Sequence, residues 1–266
     1  MPHHSSSLLR GLSVLDTFRA DDIELSLTQI ASRGEVPMST AHRLVSDLVA
    51  WGGLVRTPTG LQLGMRLFEL GRFVPVQREL ADVARPFLND LFQITRKTVN
   101  LAVLDGNEIV YVEKLEASDT PTVSRSGERY PLHCTALGKA ILAFSPPELV
   151  DRTVDAGLTA VTAKSITKEQ AFRRELAEVR KTRLGFDRQE LTLGLFCIGT
   201  PVFDGRGALV GALSVSSLES IAGARNLGPT LLTIARALSR DLGESPNVTP
   251  QNPGLAQRTR TLSVSA

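Results

Sequence analysis

The sequence predicts an α+β protein of two modules: an N-terminal winged helix-turn-helix, then a larger domain built on a mainly antiparallel sheet. Three observations predict it. Three apolar patterns at helical spacing lie between Leu8 and Leu48, and the Gly52-Gly53 pair that ends them leads into a short hairpin pattern. From Val99 onward the apolar period changes to two, with a tight-turn signal at Asp105-Gly106-Asn107. At 266 residues the chain is longer than one typical domain.

The elements follow in order. Leu8, Leu12, Leu15 and Phe18 recur at helical spacing and give a first helix. Ser26 is placed to cap a second, short helix carrying Leu27, Ile30 and Ala31 inward and stopped by Gly34. Pro37 opens a third, in which Ala41, Leu44, Val45 and Leu48 face the core while Ser39, Thr40, His42, Arg43 and Ser46 stay on the other side. LVRTPTGLQLG then reads as two extended pieces around Pro58-Thr59-Gly60. Three helices and a hairpin in this order make a winged helix-turn-helix.

A helix over Met65–Val74 breaks at Pro75, and a longer one over Val76–Thr95 accommodates Pro86 only as a kink or short break. VNLAVLDGNEIVYVEKLE forms two strands; further strands are expected at 120–125, 185–189, 195–203 and 208–215, and a strand end at Tyr130–His133. Helices are expected at about 135–144, 147–156, 168–182 and 224–243. The tail after Gly243, rich in Pro, Asn, Ser, Thr and Gln, is expected to be disordered.

Composition removes several function classes. With 42% hydrophobic and 22% charged residues the chain buries a normal core. Two cysteines, Cys134 and Cys197, are too few for a disulfide framework or a zinc module, and no secretory leader or membrane-length apolar run is present, so a cytoplasmic protein is expected. The net charge of +2 permits nucleic-acid binding without arguing for it. Residues 1–75 hold seven Arg against seven Asp plus Glu, so charge alone does not mark that module as a DNA binder.

The segment GERYPLHCTALGKAILA, 127–143, has the ingredients of chemistry. A phosphate loop fails twice: His133 stands where its first Gly belongs, and Ala140 where Ser or Thr must hold magnesium. His133 and Cys134 are neighbours in the chain, and neighbouring side chains diverge in regular structure, which argues against a nucleophile pair. A metal site would have to recruit His133, Cys134, Cys197 and a carboxylate without any spacing motif. No cofactor is expected. What remains is a strand end followed by a helix capped by Thr135, with small residues and free N–H groups that leave room for an anionic ligand.

These motifs resemble one family. GERYPLHCTALGKAILA is similar to the effector-domain signature of the IclR (isocitrate lyase regulator) transcription factors, and so are LRGLSVL in the first helix, PMSTAHRLVSDL, the wing ending LQLG, FDRQELTLGLFCIGTPV and GALSVSS. The likeness spans about residues 8–243. It implies a DNA-binding domain over 1–63, a helical linker over 64–78, a GAF-like effector-binding domain over 79–243 and a tail over 244–266. It further implies a dimer or dimer of dimers on a palindromic operator, controlled by a small organic effector.

DNA contacts are expected from Ser39, Thr40, His42, Arg43 and Ser46 of the third helix, and from Arg56, Thr57 and Thr59 of the wing. The bland alternative is an ordinary solvated helix face. By the family's motifs, effector contacts fall on Ala136, Leu137, Asp187, Leu195, Cys197, Ser214 and Ser216. Period-two spacing puts Leu195 with Cys197, and Ser214 with Ser216, on common strand faces. His133 is a further candidate, against the alternative of a satisfied core histidine. The competing function class is a hydrolase or transferase using Cys197 or Cys134 with His133 and Asp187.

Overall fold

A computed structural model of the chain describes residues 6–19, 21–75, 77–118, 125–217 and 220–244, which divide into two compact units at Val74/Pro75. The tail expected over 244–266 lies outside the described residues beyond Glu244, and the strand expected at 120–125 lies outside them except for Arg125.

The first unit is three helices and a two-stranded wing. Helix α1, Ser7–Leu15, starts where Ser6 accepts from the Leu9 N–H, a cap worth about 1 kcal/mol. Its buried residue is Val14, outside the expected stripe, and Leu8 and Leu12 of that stripe are exposed. The helix therefore has two apolar faces, only one of which serves this unit's core. Helix α2, Leu27–Arg33, begins with a full capping box between Ser26 and Gln29, buries Ile30 and Ala31, and stops at Gly34. Helix α3, Met38–Trp51, follows Pro37 and buries Ala41, Leu44 and Val45; Gly52 ends it in the left-handed region at φ 85°. Strands β1, Leu54–Arg56, and β2, Leu61–Leu63, pair antiparallel, and Leu25 bridges to Leu61 beside them. Val14, Leu25, Ile30, Leu44, Leu54 and Leu61 form one core. Helix α4, Met65–Gly71, completes the unit and buries none of its residues.

The second unit opens with a π-helical turn, Gln77–Ala81, that leads into α5, Asp82–Thr95, with Pro86 inside the helix. The break expected at Pro86 thus falls upstream. The wider i→i+5 turn changes the hydrogen-bond register just ahead of the proline, whose missing N–H then sits early in α5.

A six-stranded sheet follows, with every neighbour antiparallel and the order β5-β4-β3-β8-β7-β6. Its strands are β3, Thr98–Asp105; β4, Glu108–Leu115; β5, Arg129–Pro131; β6, Gly185–Arg188; β7, Phe196–Phe203; and β8, Leu209–Ser217. Interposed are α6, Ala136–Ala143; α7, Pro147–Asp155; and α8, Glu169–Thr182. The last expected helix is two: α9, Ile221–Asn226, and α10, Gly228–Glu244. The break falls at Leu227, because Pro229 has no N–H with which to carry the hydrogen-bond ladder of α9 into α10.

Alternation along the strands makes two cores. Val99, Leu101, Val103, Leu213 and Val215 face α5 and α10, while Ala102, Ile109, Tyr111 and Ala212 face α6 and α8. Each fully buried Leu or Phe contributes about 1.5–3 kcal/mol. On the second face α6 is seated directly on the strands. A Cβ on Gly199 would lie 2.8 Å from the Ala136 carbonyl, and one on Gly185 would lie 2.6 Å from the same oxygen, so only glycine allows this approach.

Candidate functional site

The outer face of α3 presents Ser39, His42 and Arg43 to solvent, with Thr40 and Ser46 half-buried at its margins. Arg43 is 3.7 Å from Asp47, an exposed i,i+4 pair that holds the guanidinium only weakly. Ser46 donates to the His42 carbonyl at 2.9 Å, and Arg56 of the wing reaches its hydroxyl at 3.5 Å, which joins wing and helix into one surface. Thr57 has an inward job. It donates to Glu24 at 2.9 Å and accepts from the Gly60 N–H at 2.8 Å, shaping the wing turn. Hydrogen bonds from Thr59 and Thr57 hold the Glu24 carboxyl below its ordinary range. Arg56 and Thr59 are exposed.

In the second unit a small cavity lies between the first turn of α6 and the sheet. Ala136 and Leu137 of α6, Asp187 of β6, Leu195 and Cys197 at the start of β7, and Ser214 and Ser216 of β8 all line it. Period two does the positioning on the sheet side: Cys197 pairs with Asp187 on one neighbour and with Ser216 on the other. On the helix side Thr135 accepts from the Gly138 N–H at 3.0 Å. Among the described residues the Ala136 and Leu137 N–H groups have no partner, at the positive end of the helix dipole. The space left among these walls is about 20 Å³, roughly one water.

His133 does not line this cavity. Its Nε2 is 2.9 Å from the Thr159 carbonyl, which can only accept, so that nitrogen carries the proton. The ring meets Phe172 edge to face, and burial lowers its pKa toward the neutral form. Sequence reasoning had not placed Tyr111, Thr135 or Leu191 at the wall, yet all three belong to it. It also passed over Asn100, buried beside the two serines on the neighbouring strand, whose Nδ2 donates to Ser214 at 3.1 Å and Ser216 at 3.4 Å. Its signal was one polar residue within the apolar run of β3.

The electrostatics favour uncharged groups. Burial raises the Asp187 carboxyl to about 7; the Glu190 N–H, 2.6 Å from its Oδ1, pulls the other way, and the nearby Glu190 carboxylate adds to the rise. Burial pushes the Cys134 thiol up to about 12. Cys197 is only half-buried as a residue, but its sulfur faces the closed cavity, and desolvation raises this thiol too. It donates to Ser216 Oγ at 3.3 Å. Behind the wall Lys139, fully buried, donates to Glu190 Oε1 at 2.5 Å and to the Phe186 carbonyl at 2.8 Å. The lysine of the sequence Gly-Lys is thus part of a buried ion pair. Among the described residues no three His, Cys, Asp or Glu side chains gather as a metal site.

Comparison with known proteins matches both units. A model of the IclR helix-turn-helix domain covers residues 7–58, and one described as bacterial transcriptional regulator IclR C-terminal covers 74–242. The HTH-type transcriptional regulator XynR of Escherichia coli K12 is 32% identical over 244 residues, covering 89% of this chain and 97% of that protein. KdgR, an HTH-type transcriptional regulator of the same organism, is 30% identical over 219 residues, covering 81% of this chain and 83% of its own. An IclR homolog from Microbacterium hydrocarbonoxydans, crystallised with 4-hydroxybenzoate, is similar in structure with a TM-score of 0.84 at 30% identity, covering 90% of this chain and 100% of that one. The Thermotoga maritima IclR structure gives 0.75 at 30% identity, over 90% of this chain and 100% of its own.

A helix-turn-helix reader followed by an effector-binding domain defines a DNA-binding transcriptional regulator. The chain belongs to the IclR family.

Proposed function

We propose that this regulator changes its affinity for a palindromic operator when a small organic acid enters the cavity beneath α6. One observation carries the reading: two unpartnered N–H groups of a helix start, two serine hydroxyls and a carboxyl raised to about 7 converge on one enclosed space. Donors in that arrangement suit a carboxylate, and a neutral Asp187 adds one more. The similar Microbacterium protein was crystallised with 4-hydroxybenzoate, an acid of this class. The acid enters as the cavity widens around Leu191 and Leu195, opposite the fixed first turn of α6, and the binding energy it gives to one arrangement of the chain sets the coupling to DNA.

Effector contacts are assigned to Ala136, Leu137, Asp187, Leu195, Cys197, Ser214 and Ser216, with His133 supporting the strand end from behind. DNA contacts are assigned to Ser39, Thr40, His42, Arg43 and Ser46, with Arg56, Thr57 and Thr59 on the wing. The residues near 64–78 serve as the connection between reading and sensing domains. The protein works in the cytoplasm; no helix among the described residues is long and apolar enough to cross a membrane. A dimer presents two copies of α3 about 34 Å apart. Exposed Leu8 of α1 and Met65 and Phe68 of α4 supply apolar surface for it.

Catalysis is the rejected alternative. Both thiols are held protonated, and His133 is turned to Thr159 instead of toward either sulfur. The test is a footprint on the intergenic DNA beside the protein's own gene, repeated with a panel of small carboxylic acids that includes 4-hydroxybenzoate. Protection that one acid relieves or strengthens supports the reading. Failure to protect any promoter fragment, or steady conversion of an acid to product, sinks it.

A further inference from the structure

We propose that the groove between β7 and α10 is a second ligand site, distinct from the effector cavity, for a small multiply charged anion with an apolar body. The groove has a volume of about 550 Å³, within the range of small-molecule sites, and shares no lining residue with the effector cavity. Three guanidinium groups line it: Arg183, Arg236 and Arg240. No carboxylate does, and among the described residues none of the three guanidinium groups has an ion pair or hydrogen bond. Three cations concentrated without a counter-charge repel one another, and an anion that bridges them removes that repulsion.

Arg183 is held ready for such a ligand. It caps α8 in the left-handed region at φ 60°, where a side chain is disfavoured and glycine is usual. Its guanidinium lies 5.7 Å from the Phe144 ring centroid and 5.5 Å from that of Phe203, two rings that meet edge to face. The planar fork is thereby fixed while its donors stay available, the geometry suited to bidentate capture of a carboxylate or phosphate. Arg236 and Arg240 stand one turn apart on α10 and face the same space.

Beyond Gly199, where its pairing with β6 ends, the outer edge of β7 is closed to a peptide. Phe203 donates its N–H to Ser239 Oγ at 3.1 Å, and Pro201, two residues back on the same side of β7, has no N–H to offer. Recognition therefore falls to the arginines and to the apolar wall of Phe144, Phe203 and Leu232.

Calorimetric titration of the full chain at fixed ionic strength tests the site with two probes. Phthalate carries two carboxylates on a ring; inorganic phosphate carries charge without one. The expected result is one saturable phthalate isotherm per chain, at least tenfold tighter than phosphate. It should weaken tenfold or more in Arg183→Ala and in the Arg236→Ala/Arg240→Ala pair, and stay unchanged in Ser216→Ala. Arg183→Lys, which keeps the charge and loses the fork, should recover only part of the binding. Should Arg183→Ala unfold, the α10 pair decides, since both side chains are exposed on that helix. Absence of saturable binding, or equal affinity in the arginine variants, overturns the proposal. So does an isotherm lost only in Ser216→Ala, which would belong to the effector cavity. Arginine variants that lose DNA binding while no small anion binds would assign the groove to nucleic acid instead.

Discussion

The Lys139 ammonium lies 2.5 Å from Glu190 Oε1, and neither side chain reaches solvent. The pair ties α6 to the residues that follow β6, and the Glu190 N–H in turn bonds to Asp187 at the cavity wall. Removing one partner strands a buried charge. Lys139→Met should lower stability by about 3–5 kcal/mol, whereas the Lys139→Met/Glu190→Leu double variant should recover most of that loss. Urea unfolding of the three proteins checks it; equal destabilisation in single and double variants would remove the pair as the cause.

Asp187 makes effector binding depend on pH. Its folded pKa, about 7, lies above the ordinary carboxylate value, so the folded state binds this proton more tightly than the unfolded chain does. Its contribution to stability is therefore largest in acid and falls as pH rises from about 4 to about 7. An anionic effector raises the pKa further and takes up a proton on binding. Affinity should weaken by up to about tenfold per pH unit above 7. Titrations of a bound acid from pH 6 to 8 should show this slope, and Asp187→Asn should flatten it.

Arg43→Ala should weaken operator binding by about 1–3 kcal/mol and relax base preference at one position of each half-site. Thr57→Val should act differently, by loosening the wing turn it shares with Glu24 and Gly60. Gel-shift titrations on wild-type and single-base-changed operators separate the two. Unchanged base preference in Arg43→Ala would reduce this residue to a phosphate contact.

The apolar residues that α4 leaves in solvent predict assembly. Phe68 is 65% exposed and Met65 67% exposed, and burying such side chains is worth about 1.5–3 kcal/mol each. Phe68→Glu should shift sedimentation equilibrium toward monomer and weaken operator binding in parallel. An unaltered association constant would place the dimer contact elsewhere.

The first unit was legible because its signals are local. Ser26, Gly34, Pro37 and Gly52 mark helix ends through backbone chemistry within a few residues, and the structure keeps each boundary. The exposed side of α1 was not legible: an apolar residue on a helix reads the same whether it faces its own core or a neighbour. In the second unit the alternation of Leu195 with Cys197 and Ser214 with Ser216 was readable within each strand. What brings Asn100 beside those serines is the pairing of β3 with β8, partners 114 residues apart, which no local pattern encodes. The sequence excluded Lys139 from a phosphate loop but gave no sign of its partner, because Glu190 lies 51 residues away.

All eight residues of α6 are buried, and its first turn rests against Gly185 and Gly199 without a side chain between. A rod clamped on every side has no soft direction of its own, because packed interiors resist compression. Whatever enters beneath it must be accommodated where the packing ends, at the turn carrying exposed Leu193 and left-handed Gly194. With α6 fixed, a ligand larger than one water is expected to displace the exposed tip of this turn, Leu193-Gly194, while Glu190 at its base stays anchored by Lys139.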